Sequence, residues 1–136
     1  MTIQNFEDLV IWQEARALCT HVYAHTKKIK DYGFNDQIQR AAVSVMNNIA
    51  EGFDRSKITK DNKQFISFLN IACGSCGEVK SMLYLAQDLN YLTMNEAELL
   101  RKDCLSITAK ITGFVVTLQE NNGKNNRDSS VNNLTV

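Results

Sequence analysis

Three groups of residues have types and spacings that suit chemistry. Cys73-Gly-Ser-Cys76 is a C-x-x-C, and His21 and His25 stand four apart. Two thiolates and two imidazoles suit tetrahedral zinc, and a C-x-x-C by itself suits redox chemistry. The second group is Gln37, Arg40, Ser44, Asn48 and Glu51, recurring at threes and fours, with Ser75 and Glu78 further along. There a carboxylate from Glu51 or Glu78 could hold Arg40 as a bidentate pair across a helix or subunit boundary. Ser44 and Asn48 could satisfy amide groups nearby, and two carboxylates could share acid–base work. The third group is basic. Arg55, Lys57, Lys60 and Lys63 lie near Phe53 and Phe65, and Lys27, Lys28 and Lys30 could join them in one positive pole. Aromatic rings beside cations can stack on single-stranded bases.

Each group also has a plainer reading. The cysteines fall in the middle of a helical pattern, not on a knuckle or at a helix N-terminus where thiolates are stabilised. Packed, reduced, weakly polar cysteines are therefore expected, with no metal and no cofactor. The polar set lacks a nucleophile, oxyanion donors and a substrate pocket, so it is expected to fix helix register or a subunit contact, with no catalytic residue. Left buried and unpaired, any of its members would cost about 1–3 kcal/mol, so a bonded network is required if they lie inside. Asp54 and Asp61 dilute the basic stretch, and both phenylalanines also fit core positions.

These residues must be positioned by helices. The chain contains no proline and only six glycines, which favours long helices over many short strands. From Phe6 to Lys30, Ile11, Ala15, Leu18, Val22 and Ile29 share a face, with Asn5 as the expected cap. Trp12 widens that face and is read as part core, part interface. Gly33 is expected to end this helix, with Asn35 or Asp36 capping the next. In that second helix, QIQRAAVSVMNNIAEG, residues Ile38, Ala41, Ala42, Val45, Ile49 and Gly52 form one arc. Val43, Met46 and Ala50 extend it, so the polar set of α2, together with Asn47, occupies only about 100° of the circumference. A helix apolar over most of its surface is usually buried on more than one side. Gly52 is expected to end or loosen it, and residues 53–58 to form a connection.

A third helix is expected over about 60–89, capped by Thr59. Its face includes Phe65, Phe68, Leu69, Ala72, Cys76, Val79, Leu83, Ala86 and Leu89. Gly74 and Gly77 interrupt it chemically but not rhythmically, which suggests close approach of a neighbouring helix. The fourth helix, capped by Thr93 or Asn95, has an unbroken register through Ala97, Leu100, Cys104, Ile107, Ile111, Phe114 and Leu118. Residues 121–136 are polar, asparagine-rich and aperiodic, and read as a disordered tail. The expectation is an all-α, up-down-up-down antiparallel four-helix bundle over residues 1–120.

Fifteen basic residues balance fifteen acidic ones, so nothing in the net charge favours nucleic acid as a partner. No run approaches a membrane span and no secretory signal stands at the N-terminus, so a cytoplasmic location without membrane attachment is expected.

Several motifs together resemble a known family. They are Phe6-Glu7-x-Leu9 with Trp12, Gly33-Phe34, Gln37-Ile38-x-Arg40-Ala41-Ala42-x-Ser44-Val45 and Asn48-Ile49-Ala50-Glu51-Gly52. Phe68-Leu69-x-Ile71-Ala72-x-Gly74-Ser75 with Glu78, and Leu89-Asn90-Tyr91-Leu92, continue the pattern. The chain resembles the four-helix-bundle proteins called 23S rRNA-intervening sequence proteins, over about residues 5 to 120. The resemblance implies a small bacterial bundle that assembles as a homopentamer and has no enzymatic activity. One branch, the accessory variability proteins of diversity-generating retroelements, binds nucleic acid and a reverse transcriptase. Two roles are thus open: a self-assembling scaffold or adaptor, and an accessory protein that binds RNA or DNA or a protein partner.

Overall fold

A computed structural model describes residues 2–125. Among these, a short 3-10 turn, Phe6–Asp8, precedes four helices: α1 (Val10–Thr26), α2 (Tyr32–Thr59), α3 (Lys63–Asp88) and α4 (Met94–Asn125). Each packs on the next and α4 closes back on α1, while α1 and α3 stand diagonally across the core. The α1–α2 and α3–α4 corners share one end, where the Tyr91 hydroxyl donates to Asp31 at 2.8 Å and its ring meets Phe34 edge-on. This is the antiparallel four-helix bundle expected from the heptad-like faces. The core is continuous from Leu9 to Leu118, and every register residue named for α4 is buried in it.

The helix ends differ from the sequence expectation for local reasons. α1 starts at Val10 and not at Phe6, because Leu9 is extended and fully buried, turning the chain into the core. Asn5 makes no capping bond; the Gln13 amide donates to the Glu7 carbonyl at 2.9 Å instead. Asp31, not Asn35 or Asp36, caps α2, accepting from the Phe34 N–H at 3.1 Å. Gly33 therefore lies in the first turn of α2 and does not end α1. Asn35 is occupied otherwise: its amide donates to the carbonyls of Thr26 and Ile29, at the end of α1 and just beyond it. At the start of α4 the structure selects Thr93. Its hydroxyl accepts from the Glu96 N–H at 3.1 Å while the Glu96 carboxylate accepts from the Thr93 N–H at 2.9 Å, a reciprocal capping box.

The glycines reverse their expected roles. Gly52 neither ends nor loosens α2, which continues to Thr59 before Lys60 turns left-handed (φ 59°). A Cβ on Gly52 would stand 2.6 Å from Cβ of Phe68 and 3.0 Å from the Phe65 ring. Gly52 is thus a point of tight approach between α2 and α3. Gly74 and Gly77, expected to play this part, are exposed and have nothing within 4 Å of where a Cβ would stand. Residues 53–58 are helix and not a connection, and α3 begins at Lys63 after Asn62 rather than after Thr59. α4 runs on to Asn125, and the rest of the polar C-terminal segment, 126–136, lies outside the described residues.

Candidate functional site

The α2–α3 seam gathers most of the polar set. Ser44 and Ser75 share a hydroxyl hydrogen bond of 2.8 Å, and the Asn48 amide donates to both the carbonyl and the hydroxyl of Ser44 at 2.8 and 2.9 Å. Nearer the start of α2, the Gln37 amide donates to Glu78 at 3.3 Å. Gln37, Ser44, Asn48 and Ser75 therefore face one seam because α2 and α3 run antiparallel in matching register. Ser44, Asn48 and Ser75 are half-buried, and each has a partner, so the network carries no desolvated orphan.

Arg40 and Glu51 do not join this network, which corrects the cross-helix ion pair expected for them. Arg40 Nε pairs with Asp36 at 3.0 Å, and Glu51 with Arg55 at 3.0 Å, each one turn along α2. The i,i+4 geometry brings these charges together without any tertiary contact, and both pairs are well exposed. Arg55 also lies over the Phe68 ring at 5.3 Å, and Lys57 over Phe53 at 5.2 Å. Asp36 is absent from the expected polar set, although its spacing to Arg40 is the standard one for a helical ion pair.

The basic residues form two clusters. Lys27, Lys28 and Lys30 lie at the α1–α2 corner, whereas Arg55, Lys57, Lys60 and Lys63 surround the α2–α3 corner. The 28 residues of α2 separate them by about 40 Å at 1.5 Å per residue. A single positive pole does not form.

The cysteines and histidines also part company. His21 and His25 face α4, where His21 Nδ1 lies 3.6 Å from Asp103 and His25 Nε2 lies 3.9 Å from Glu96. Lys110 of α4 pairs with Glu14 of α1 along the same seam. A cleft of about 150 Å³ opens between Glu14, Leu18, His21, Asp103 and Ser106. Cys73 and Cys76 sit on α3, diagonally away, and Cys76 donates to the Cys104 carbonyl at 3.3 Å. No group of three or more His, Cys, Asp or Glu side chains among the described residues is arranged to hold a metal ion. Trp12 is half-buried between the Phe6 ring, 5.1 Å away edge-on, and the Arg16 guanidinium.

The architecture has a counterpart in known proteins. The family model for 23S rRNA-intervening sequence proteins matches residues 7–113, which reaches into all four helices. The chain belongs to that family. This member of the 23S rRNA-intervening sequence proteins is also similar to a solved structure from Bacteroides thetaiotaomicron VPI-5482, described as a protein of unknown function from the S23 ribosomal protein family. The TM-score is 0.68 at 21% identity, covering 78% of this chain and 98% of that one. At that identity the likeness speaks for the fold. No curated protein matches the chain. None of the described helices is long and apolar enough to cross a membrane.

Proposed function

We propose that this bundle is a non-enzymatic scaffold or adaptor that works as a homo-oligomer in the cytoplasm, a pentamer by its family resemblance. One observation carries the reading. Ile71 and Leu85 on α3, and Leu89 at its C-cap, are each about half exposed, and helical periodicity places them along the edge where Ser75 and Glu78 meet α2. Scattered exposed apolar residues need no explanation, but a stripe of them along one seam is the usual mark of an association surface. Light scattering at micromolar concentration tests this. An assembly larger than a dimer is expected, and Ile71→Glu with Leu85→Glu is expected to dissociate it while helicity is retained. A strict monomer for the unmodified chain would sink the proposal.

A second reading is favoured by the α2–α3 corner, where Arg55, Lys57, Lys60 and Lys63 occupy barely three turns of chain. Such a corner can contact phosphates, as the resemblance to accessory variability proteins suggests. Binding to structured RNA or DNA should then weaken steeply with salt, in proportion to the phosphates neutralised. No binding at low salt removes this reading.

A further inference from the structure

The cleft between α1 and α4 is used neither by the core nor by the polar seam of α2 and α3. Buried Leu18 and Ile107 form its aliphatic floor, with Ala17 beside them. Four polar side chains stand around that floor: Glu14 and His21 from α1, Asp103 and Ser106 from α4. Glu14 and His21 are seven residues apart on one helix, so about 10 Å separates the two ends of the cleft. Asp103 stands at the His21 end. The space enclosed, about 150 Å³, has room for several waters or a short aliphatic chain.

The polar groups are not consumed by one another. Glu14 pairs with Lys110 through Oε1 alone, while Oε2 is buried and has no hydrogen-bond partner among the described residues. The Glu14 side chain as a whole is 30% exposed, so the orphaned oxygen belongs to the part that is shielded from solvent. A shielded carboxylate oxygen without a donor has lost its hydration, a cost that a donor entering the cleft would offset. At the other end, Asp103 is 3.6 Å from His21 Nδ1, too far for a good hydrogen bond, and Ser106 is exposed. Two carboxylates against one ammonium, with histidine neutral, leave one negative charge in excess around the cleft.

We propose that this cleft binds a small protonated primary amine. An ammonium has three N–H donors and no acceptor. It therefore suits a lining whose open positions, Glu14 Oε2 and the Asp103 carboxylate, are acceptors. Its head meets Glu14 Oε2, where shielding from water strengthens the bond. Its alkyl stem lies on Leu18 and Ile107, and its single positive charge balances the excess. An anion would meet the same carboxylates with repulsion. A bare metal ion is not suited either, because no group of three or more His, Cys, Asp or Glu among the described residues is arranged to hold one. The site lies on α1 and α4, away from the α3 edge proposed for assembly, so either reading can fail without the other.

NMR of the full isotope-labelled chain, titrated with butylammonium chloride at low salt, tests this. Saturable shifts are expected around Leu18, Ser106 and Ile107, with a Kd of about 1 mM for a ligand of so few atoms. Methylammonium should bind more weakly, because it leaves the aliphatic floor uncovered. Tetramethylammonium, which has no N–H to donate, should not compete. Glu14→Gln removes the anionic acceptor and is expected to weaken binding about tenfold. Lys110→Gln frees Oε1 and is expected to strengthen it. The same spectra report whether each variant is folded. For the unmodified chain, no saturation well above the millimolar range, shifts centred on another face, or equal affinity for butylammonium and tetramethylammonium would each overturn the proposal.

Discussion

Two of the four helix seams, α2–α3 and α1–α4, are specified by different physics. Along α2–α3 the helices are fitted by shape: Phe65 is fully buried between Phe53 and Phe114, with centroids at 5.9 and 5.5 Å, and bare Gly52 receives Phe68. Along α1–α4 the partners are polar and charged side chains: Glu14 with Lys110, His21 beside Asp103 and His25 beside Glu96, next to an open cleft. Close packing punishes any change of volume, because atoms in contact have nowhere to move. Exposed ion pairs are screened and contribute little each, so they tolerate substitution. The fold therefore has one seam that dictates geometry and another that follows it.

The sharpest way to break this contrast is Phe65→Ala. Truncating a fully buried phenylalanine is expected to cost about 3–5 kcal/mol in chemical denaturation, since the cavity left beside two other rings cannot collapse freely. Gly52→Ala comes next. Helix propensity alone would reward alanine by about 1 kcal/mol, yet its methyl would meet Phe68 at 2.6 Å, closer than real Cβ atoms approach. A net loss of about 1–3 kcal/mol is expected from the overpacking. Gly77→Ala, with open space around it, is expected to gain about 0.5–1 kcal/mol. Opposite signs for the two substitutions support the shape-fitted seam; equal signs would remove it.

The α1–α4 seam predicts smaller effects. Asp103→Asn removes the carboxylate beside His21 and is expected to cost less than about 1 kcal/mol. A cost rivalling that of Phe65→Ala would show that charge dictates this seam after all. The smallest effect lies in the acid limb of stability. Hydrogen bonds from the Thr93 backbone and side chain hold the Glu96 carboxyl below its ordinary value, with help from His25 and Lys28. A carboxyl depressed in the folded state contributes stability that is fully present above its unfolded pKa, about 4.3, and is lost as pH falls through the lower folded value. Denaturation profiles should thus decline below about pH 4, and Glu96→Gln should flatten that decline slightly.

Much of this is legible in the sequence wherever periodicity is the signal. The α4 face, Ala97 to Leu118, is buried residue for residue, and the α3 face fails only at Phe68, half-buried against Gly52, and at Leu89, exposed at the helix end. The grouping of Gln37, Ser44 and Asn48 on one side of α2 follows from the same periodicity, and the structure sets Ser75 and Glu78 opposite. What periodicity does not convey is what a missing side chain means. Gly52 reads as a break and is a contact, whereas Gly74 and Gly77 read as contacts and are open surface. Glycine's absent Cβ serves both purposes, and only the neighbouring element decides between them. Arg40 shows a different limit. A carboxylate on another helix competes for it with a local one, Asp36, and the local partner wins because one turn of helix already holds it in reach.

Asn35 has a consequence of its own. Its amide ties the end of α1 to the first turn of α2, and Gln39 adds a bond to the Thr26 hydroxyl at 3.0 Å. These contacts span only 6, 9 and 13 positions of chain, whereas Tyr91 to Asp31 spans 60. Closing short loops loses less entropy and is faster than closing long ones. The α1–α2 hairpin can therefore close locally, without waiting for α3 and α4. On a ribosome it could take shape before α3 and α4 have emerged.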